Sequence, residues 1–340
     1  LSSNSRPLEF LLSLSVVFIV SPSCTFTGAD KGVDTHDDTG FIVETGTDTA
    51  GDTSSTSVTD SGTETDVTVD TGGTETGSIR PTQFVQLSVG NVHACVLDDL
   101  GGAHCWGDNG LGQSSAPTSY FTQISAGGSH SCGIDISQAL VCWGDNQYGQ
   151  TTPPSGTFLK VEAGWNHTCA IATDNTLECW GRNDSNQATP PVGQFLEVAS
   201  GYVHSCAIAS DLSMHCWGNE QYTEVHSGSF LDLDVGYLHA CAVDVQHIGK
   251  CWGDNYVGQS DATSSELSVI TAGYYHSCAI TSAGAAECWG RDGQAQASPP
   301  SELFKQIGAG VDYSCGLTQA GALACWGIGD DGQMQVPTIP

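Results

Sequence analysis

Basic side chains are scarce in this sequence. Lys and Arg together number 8 in 340 residues, against 38 Asp and Glu, for a formal net charge of -30. A chain charged in this way is repelled by nucleic acid and by anionic membrane surfaces, so neither is expected as a partner. The deficit is not confined to a tail. From Phe84 onward only Lys160, Arg182, Lys250, Arg291 and Lys305 are basic, against 25 acidic residues. Adaptation to saline surroundings and a basic partner account for this excess equally well. Long hydrophobic runs are missing too: the longest, Phe10 to Val20, covers about eleven residues and is too short to span a bilayer. There is no nucleophile elbow, metalloprotease helix or phosphate-binding glycine loop. No catalytic residue, metal or cofactor is therefore expected.

What is present is one hairpin written seven times. Its clearest copy runs Gly273-Tyr-Tyr-His-Ser-Cys-Ala-Ile-Thr-Ser-Ala-Gly-Ala-Ala-Glu-Cys-Trp-Gly290. In every copy the first cysteine precedes the second by ten residues: Cys95 and Cys105, Cys132 and Cys142, Cys169 and Cys179, Cys206 and Cys216, Cys241 and Cys251, Cys278 and Cys288, Cys315 and Cys325. Trp-Gly always follows the second cysteine. Successive tryptophans lie 37 apart, except for one step of 35 from Trp217 to Trp252. A fixed period of this length marks a repeat architecture.

Each unit opens with an alternating apolar run such as Phe121-Thr-Gln-Ile-Ser, which suits a half-buried strand. A glycine and two further strands follow. Pairing the two cysteines across an antiparallel ladder leaves a three-residue loop, which favours a positive-φ residue in third place. Gly101, Asn175, Gly284 and Gly321 stand there, and the other three copies have neither Gly nor Asn. In this register the Cα atoms are expected about 4.5–5.5 Å apart, within disulfide range. Zinc is the competing reading, since H-x-C-x9-C supplies three ligands, but structural zinc sites usually want four, with closely spaced cysteines. Disulfides are the preferred reading. Trp, adjacent to the second cysteine, points to the opposite sheet face. Sheets buried on both faces must be sandwiched between neighbours. Seven of them closing on themselves make an all-β, seven-bladed β-propeller.

The fifteenth cysteine, Cys24, stands apart. Arg6, the apolar run and the small residues Ser21-Pro-Ser read as a signal peptide over residues 1–23. Ser21-Pro-Ser-Cys24 resembles the lipobox of bacterial lipoproteins, which implies lipidation at Cys24, although the family prefers Leu where Ser21 stands. Residues 24–80 are rich in Thr, Asp, Gly, Ser and Glu and carry a net charge of about -10. Such a segment cannot build a core and is expected to be a disordered, lipid-anchored tether. Residues 81–340 form the propeller. The expected location is a bacterial cell surface or outer membrane, otherwise the medium, with membrane contact only through the anchor.

G-x-x-H-[ST]-C-A and W-G-D-N-x-x-G-Q together resemble the repeats of the regulator of chromosome condensation family, over all seven copies from Phe84. Trp106 to Gln113, Trp143 to Gln150 and Trp252 to Gln259 carry the second motif best. Trp217 to Glu224 is worn, and Tyr313 stands where six other copies have His. The resemblance implies a seven-bladed propeller. The paired cysteines are a departure associated with exported bacterial branches. The eukaryotic namesake's roles in nucleotide exchange and on chromatin do not suit an exported acidic chain. The propeller-type bacterial inhibitor of β-lactamase, which is secreted and binds a protein with one face, is the closer analogy.

Two residue sets invite a function. His93, His130, His167, His204, His239 and His276 recur in every copy but the seventh, and so are expected to serve the blade, hydrogen-bonded to backbone. The positions after the turn glycine vary instead. There Trp165, Tyr202, Tyr237 and Tyr274, with Tyr275 as a fifth, place aromatics in blades three to six. Blades one, two and seven have none there. Equivalent positions lie on one ring, so these residues form an arc of protein-binding anchors, or else pack between blades. The expected function is protein recognition by a monomer without catalysis. An enzyme acting on extracellular polysaccharide or peptide, and a structural surface protein, are the alternatives. Raised-pKa carboxylates facing the channel would favour an enzyme, a one-sided aromatic patch recognition, and a uniformly polar surface the structural role.

Overall fold

The computed structural model describes residues 80–223 and 227–339. The chain divides into two units, Leu1–Gly77 and Ser78–Pro340. The expected signal peptide, the lipidation site Cys24 and the tether as far as residue 79 lie outside the described residues. The described residues hold 21 strands in seven three-stranded antiparallel sheets and one 3-10 turn at Glu220–Tyr222. No helix among them is long and apolar enough to cross a membrane.

In the first blade β1 (Phe84–Val89), β2 (His93–Asp98) and β3 (Ala103–Gly107) lie in sequence order, with β2 central. The six further blades open at Phe121, Phe158, Phe195, Phe230, Leu267 and Phe304. The cysteines pair directly across each ladder, and each pair is a disulfide inside its own hairpin. Cys95 is bonded to Cys105, Cys132 to Cys142, Cys169 to Cys179 and Cys206 to Cys216. Cys241 is bonded to Cys251, Cys278 to Cys288 and Cys315 to Cys325. The zinc reading of these cysteines falls with that pairing.

Two features of the bridges correct the sequence-based picture. Their Cα atoms are 4.0–4.1 Å apart in all seven, closer than the expected 4.5–5.5 Å. The ladder explains the direction of this difference. Backbone bonds from Asp98 to the Gly102 carbonyl and from Asp108 to the Val92 carbonyl put Cys95 and Cys105 at a non-hydrogen-bonded site, the narrower of the two kinds. The two ends of each bridge are also unequal. The first cysteine, on the central strand, is fully buried in every blade. Its partner on the third strand, Cys105, Cys142, Cys179, Cys216, Cys251, Cys288 or Cys325, is only partly buried, because that strand is the outer edge of the sheet.

The three-residue loops hold a surprise. Gly101, Asn175, Gly284 and Gly321 have positive φ, and so do Gln138, Leu212 and His247, at 65°, 67° and 63°. All seven loops thus share one geometry, including the three without a favourable residue. In the first six loops the carbonyl of this residue accepts from the first amide of the next blade, as Gln138 does from Phe158 at 2.9 Å. An inter-blade bond therefore holds the strained position.

Trp and disulfide do point to opposite faces, and each disulfide meets the tryptophan of the following blade. Cys95 and Cys105 pack with Phe121, Ile124 and Trp143. The last such cluster, with Cys315, Cys325, Phe84 and Trp106, joins blade seven to blade one. The W-G-D-N-x-x-G-Q loop sits in each seam. Its buried glutamine, Gln113 for example, offers a backbone carbonyl to Trp143 Nε1 at 2.8 Å and to Ser131 Oγ at 3.0 Å. Residues beyond the last strand supply the same contact to blade one, from Trp106 Nε1 to the Gln333 carbonyl at 2.8 Å.

The repeat histidines do serve the blade, but their partner is not the backbone. His93, His130, His167, His239 and His276 bond through Nε2 to a Ser or Thr hydroxyl of the next blade, at 2.7–2.8 Å. That hydroxyl's single proton goes to the glutamine carbonyl, so the histidine donates from Nε2. Burial is complete, and desolvation lowers these imidazoles from 6.5 to about 3 or 4.

Candidate functional site

The mouth of the channel is set by a ring of glycines. The first strands of all seven blades line a central cavity of about 370 Å³. Each strand ends at a turn glycine whose absent side chain lets the next blade come close. A Cβ on Gly90 would lie 2.3 Å from the carbonyl oxygen of Gly127, and the contact repeats round to Gly310, 2.8 Å from that of Gly90. The amide after the glycine bonds the next blade in several copies, as Trp165 does the Gly201 carbonyl at 2.9 Å and Tyr237 the Gly273 carbonyl at 3.1 Å. Side chains at this position therefore start from a tightly closed ring.

Trp165, Tyr202, Tyr237 and Tyr274 consequently converge instead of spreading along an arc. Tyr237 and Tyr274 stack at 4.0 Å with an interplanar angle of 11°, and Tyr202 stacks on Tyr237 at 4.7 Å. Trp165 reaches Tyr202, Tyr237 and, three blades away, Tyr274, at 5.1–5.6 Å. Tyr275 closes edge-on against Tyr274 at 4.2 Å. All five rings are half-buried and pack on one another at the mouth. A Cβ on Gly128, the blade-two equivalent, would sit 2.4 Å from the Trp165 carbonyl oxygen. Blade two lacks an aromatic there because no side chain fits.

Two arginines flank the cluster, and nothing in the repeat pattern singles them out. Arg182 lies over Tyr202 at 5.3 Å and Tyr148 at 5.7 Å, and its Nε and Nη2 bond Asp184. Arg291 lies over Tyr275 at 5.9 Å. Both occupy the W-G-x place that is Asp108, Asp145 and Asp254 in other blades, where the carboxylate holds the loop glutamine. In blades three and six Asp184 and Asp312 take over that bond. The arginine is thereby released to the face.

Deeper in the channel lies a second polar group, also missed from the sequence. Its positions are the alternate residues of the first strands. Gln86 and Gln123 there bridge to the next blade with both amide atoms, at 2.8–3.2 Å. Blades three to five place Lys160, Glu162, Asp232 and Asp234 on the same wall, with Glu197 against Lys160. Lys160 pairs closely with Glu197 and stands 3.8 Å from Glu162. Desolvation in the channel raises Glu162 and Asp232 to about 7, against the opposing pull of Lys160, and raises Asp234 as well. Several of these oxygens serve as inter-blade clamps. Asp232 accepts from the Ile270 amide at 2.8 Å, and Asp234 from the Ala272 amide and the Thr271 hydroxyl. Among the described residues no group of three or more His, Cys, Asp or Glu is arranged to hold a metal ion.

Residues 84–113, 121–150 and 158–187 match the family described as Regulator of chromosome condensation (RCC1) repeat. No curated protein matches the chain. Among solved structures, the fold is similar to the CRINKLY WD40 ectodomain of the Arabidopsis thaliana receptor kinase ACR4. That match has a TM-score of 0.63 at 22% identity, covering 74% of this chain and 99% of that one. The ectodomain of the Physcomitrella patens receptor kinase CR4 matches at 0.55 and 26%, covering 60% and 62%. Prp20p from Saccharomyces cerevisiae matches at 0.57 and 14%, covering 72% and 82%.

Proposed function

We propose that this chain, a disulfide-stapled seven-bladed propeller of regulator of chromosome condensation repeats, is an exported module that recognises a protein with its aromatic mouth. The observation that carries this reading is the convergence of Trp165, Tyr202, Tyr237, Tyr274 and Tyr275, half-exposed at one end of the channel. Packed aromatic rings present large, rigid contact area at low entropic cost, which is what interface anchors require. Likeness of fold supports the reading: the CRINKLY domain is a receptor ectodomain, and Prp20p has binding properties toward Gsp1p and histones. The seven disulfides fit an oxidising compartment. A signal peptide over residues 1–23, lipidation at Cys24 and a tether to residue 80 would then hold the propeller (residues 81–340), as a monomer, off a bacterial membrane.

The test replaces Trp165, Tyr202, Tyr237 and Tyr274 by alanine, singly and together, in the full chain. Melting temperature and capture of partners from the source cell surface are measured side by side. Loss of capture by variants that melt normally is expected. A folded quadruple variant that still captures its partner would remove this face.

One observation favours a second reading. Carboxylates with raised pKa do face the channel, as an acid catalyst on a glycan or peptide would. Their bonds to neighbouring blades give them a structural task already. Glycan and peptide hydrolysis abolished by Glu162→Gln, with the fold intact, would establish the enzyme.

A further inference from the structure

Beside the aromatic cluster, where blades one, two and seven lack large residues, lies an open cleft of about 390 Å³. Trp165, Tyr274 and Tyr275 form one wall, and Gly128 and Val311 leave the space opposite them empty. The cleft exists because Gly128 cannot carry a side chain beneath the Trp165 backbone. One charged residue lines it, Arg291.

The two arginines of the face differ in an informative way. Arg182 spends its donors on Asp184 at 2.7 and 2.9 Å. The Arg291 guanidinium makes no hydrogen bond among the described residues. Its nearest carboxylate, Asp312, is 3.6 Å away, beyond hydrogen-bond range, and already accepts from Gln296 Nε2 at 3.0 Å. The guanidinium lies over Tyr275 at the rim of an aromatic-walled space, in a loose ion pair with Asp312 that leaves its forked donors without a hydrogen bond. A fork of this kind pairs with a carboxylate in two parallel bonds.

We infer that this cleft is an anchor pocket for a protein partner. It takes one aromatic or large aliphatic side chain against Trp165, Tyr274 and Tyr275, and Arg291 receives the carboxylate of an adjacent Asp or Glu. The inference rests on the recognition reading above and names the chemistry that face selects. The net charge of -30 repels an acidic run. A single carboxylate beside an apolar residue, in an otherwise neutral or basic segment, meets both conditions.

A random peptide library displayed on phage and panned on the immobilised full chain tests this. Enriched peptides are synthesised, and their affinities are measured for the native chain and for Arg291→Gln, Val311→Trp and Tyr202→Ala, each with its melting temperature. Enriched sequences should set Phe, Trp, Tyr, Leu or Ile next to Asp or Glu. Arg291→Gln should weaken them about tenfold or more, as loss of a charge-assisted pair does. Changing the peptide's Asp to Asn should then cost little further in that variant. Val311→Trp, which fills the cleft, should abolish binding. Peptides without acid, binding indifferent to Arg291→Gln, or no binders at all would overturn the inference. If Tyr202→Ala alone weakens binding, the cleft is wrong and the face stands. If all three variants are silent, both fall.

Discussion

Acid should unfold this propeller through its histidine ring. The six repeat histidines sit fully buried and neutral, lowered from 6.5 to about 3 or 4 by desolvation. In the unfolded chain they titrate normally, so below pH 6.5 unfolding takes up protons that the folded state refuses. Stability they contribute is complete above pH 6.5 and is lost as pH falls toward 4. Glu162 and Asp232 work the other way: raised to about 7, they are protonated when folded at pH 5 and largely ionised when unfolded. Near pH 5 the balance is at most about four protons, six less two, because Asp234, raised as well, opposes in the same sense. The slope is then at most about 5 kcal/mol per pH unit, large beside a typical stability of about 5–15 kcal/mol. Denaturant unfolding at pH 7.5, 6.5, 5.5 and 5, with disulfides intact and tryptophan fluorescence as probe, measures it. His204→Gln should flatten the slope by about one proton, or about 1.4 kcal/mol per pH unit. The reasoning is refuted if stability is flat or rises between pH 6.5 and 5, or if the imidazole resonances titrate in the folded protein.

Three further outcomes are expected. Peptide mapping without reduction should recover seven intra-hairpin bridges, and Cys132→Ala with Cys142→Ala should cost about 2–3 kcal/mol, the value for a short closed loop. Gln138→Gly, at an exposed loop position with φ of 65°, should raise stability by about 0.5–1 kcal/mol, whereas Asn175→Ala should lower it. Cys24→Ser should release the protein from the membrane fraction into the medium, and unchanged membrane retention would defeat the anchor reading.

The fold was legible because several signals converged on one register. Ten-residue cysteine spacing, loop glycines and the following tryptophan each specify the same pairing, and any one slip would turn every side chain over. The site was legible only as a list of places. That Trp165 touches Tyr274 three blades away depends on the radius of the glycine ring, which no single repeat encodes. Lys160, Glu162 and Asp232 read as solvated residues of half-buried strands, because alternation names a face without revealing that seven such faces enclose a channel. Arg291 reads as drift from W-G-D until Asp312 is seen holding Gln296 in its place.

The irregular repeats show how the frame absorbs divergence. The chain of histidine-to-hydroxyl bonds needs Ser or Thr after each histidine, and two copies have alanine, Ala94 and Ala240. Blade seven meets Ala94 with Tyr313 in place of histidine, whose longer side chain carries its hydroxyl to the carbonyls of Gly90 and His93 at 2.9 and 2.8 Å. The seam that joins the chain's end to its beginning is thus bonded without the missing hydroxyl. Blade four meets Ala240 with no such change. His204 Nε2 has no hydrogen-bond partner among the described residues, and its ring lies 5.8 Å from Tyr222 in the worn loop. A buried unpaired donor costs about 1–3 kcal/mol. The uncorrected defect falls at the one 35-residue step of the repeat, between Trp217 and Trp252. Blades three to six, which contain that step, also carry Trp165, Tyr202, Tyr237, Tyr274 and the channel ion pairs. Within this stretch the departures fall at single positions: Arg182 and Arg291 stand where other blades have the loop aspartate, and Asp184 and Asp312 hold the loop glutamine in its place, so those two side chains reach the face that carries the aromatic rings.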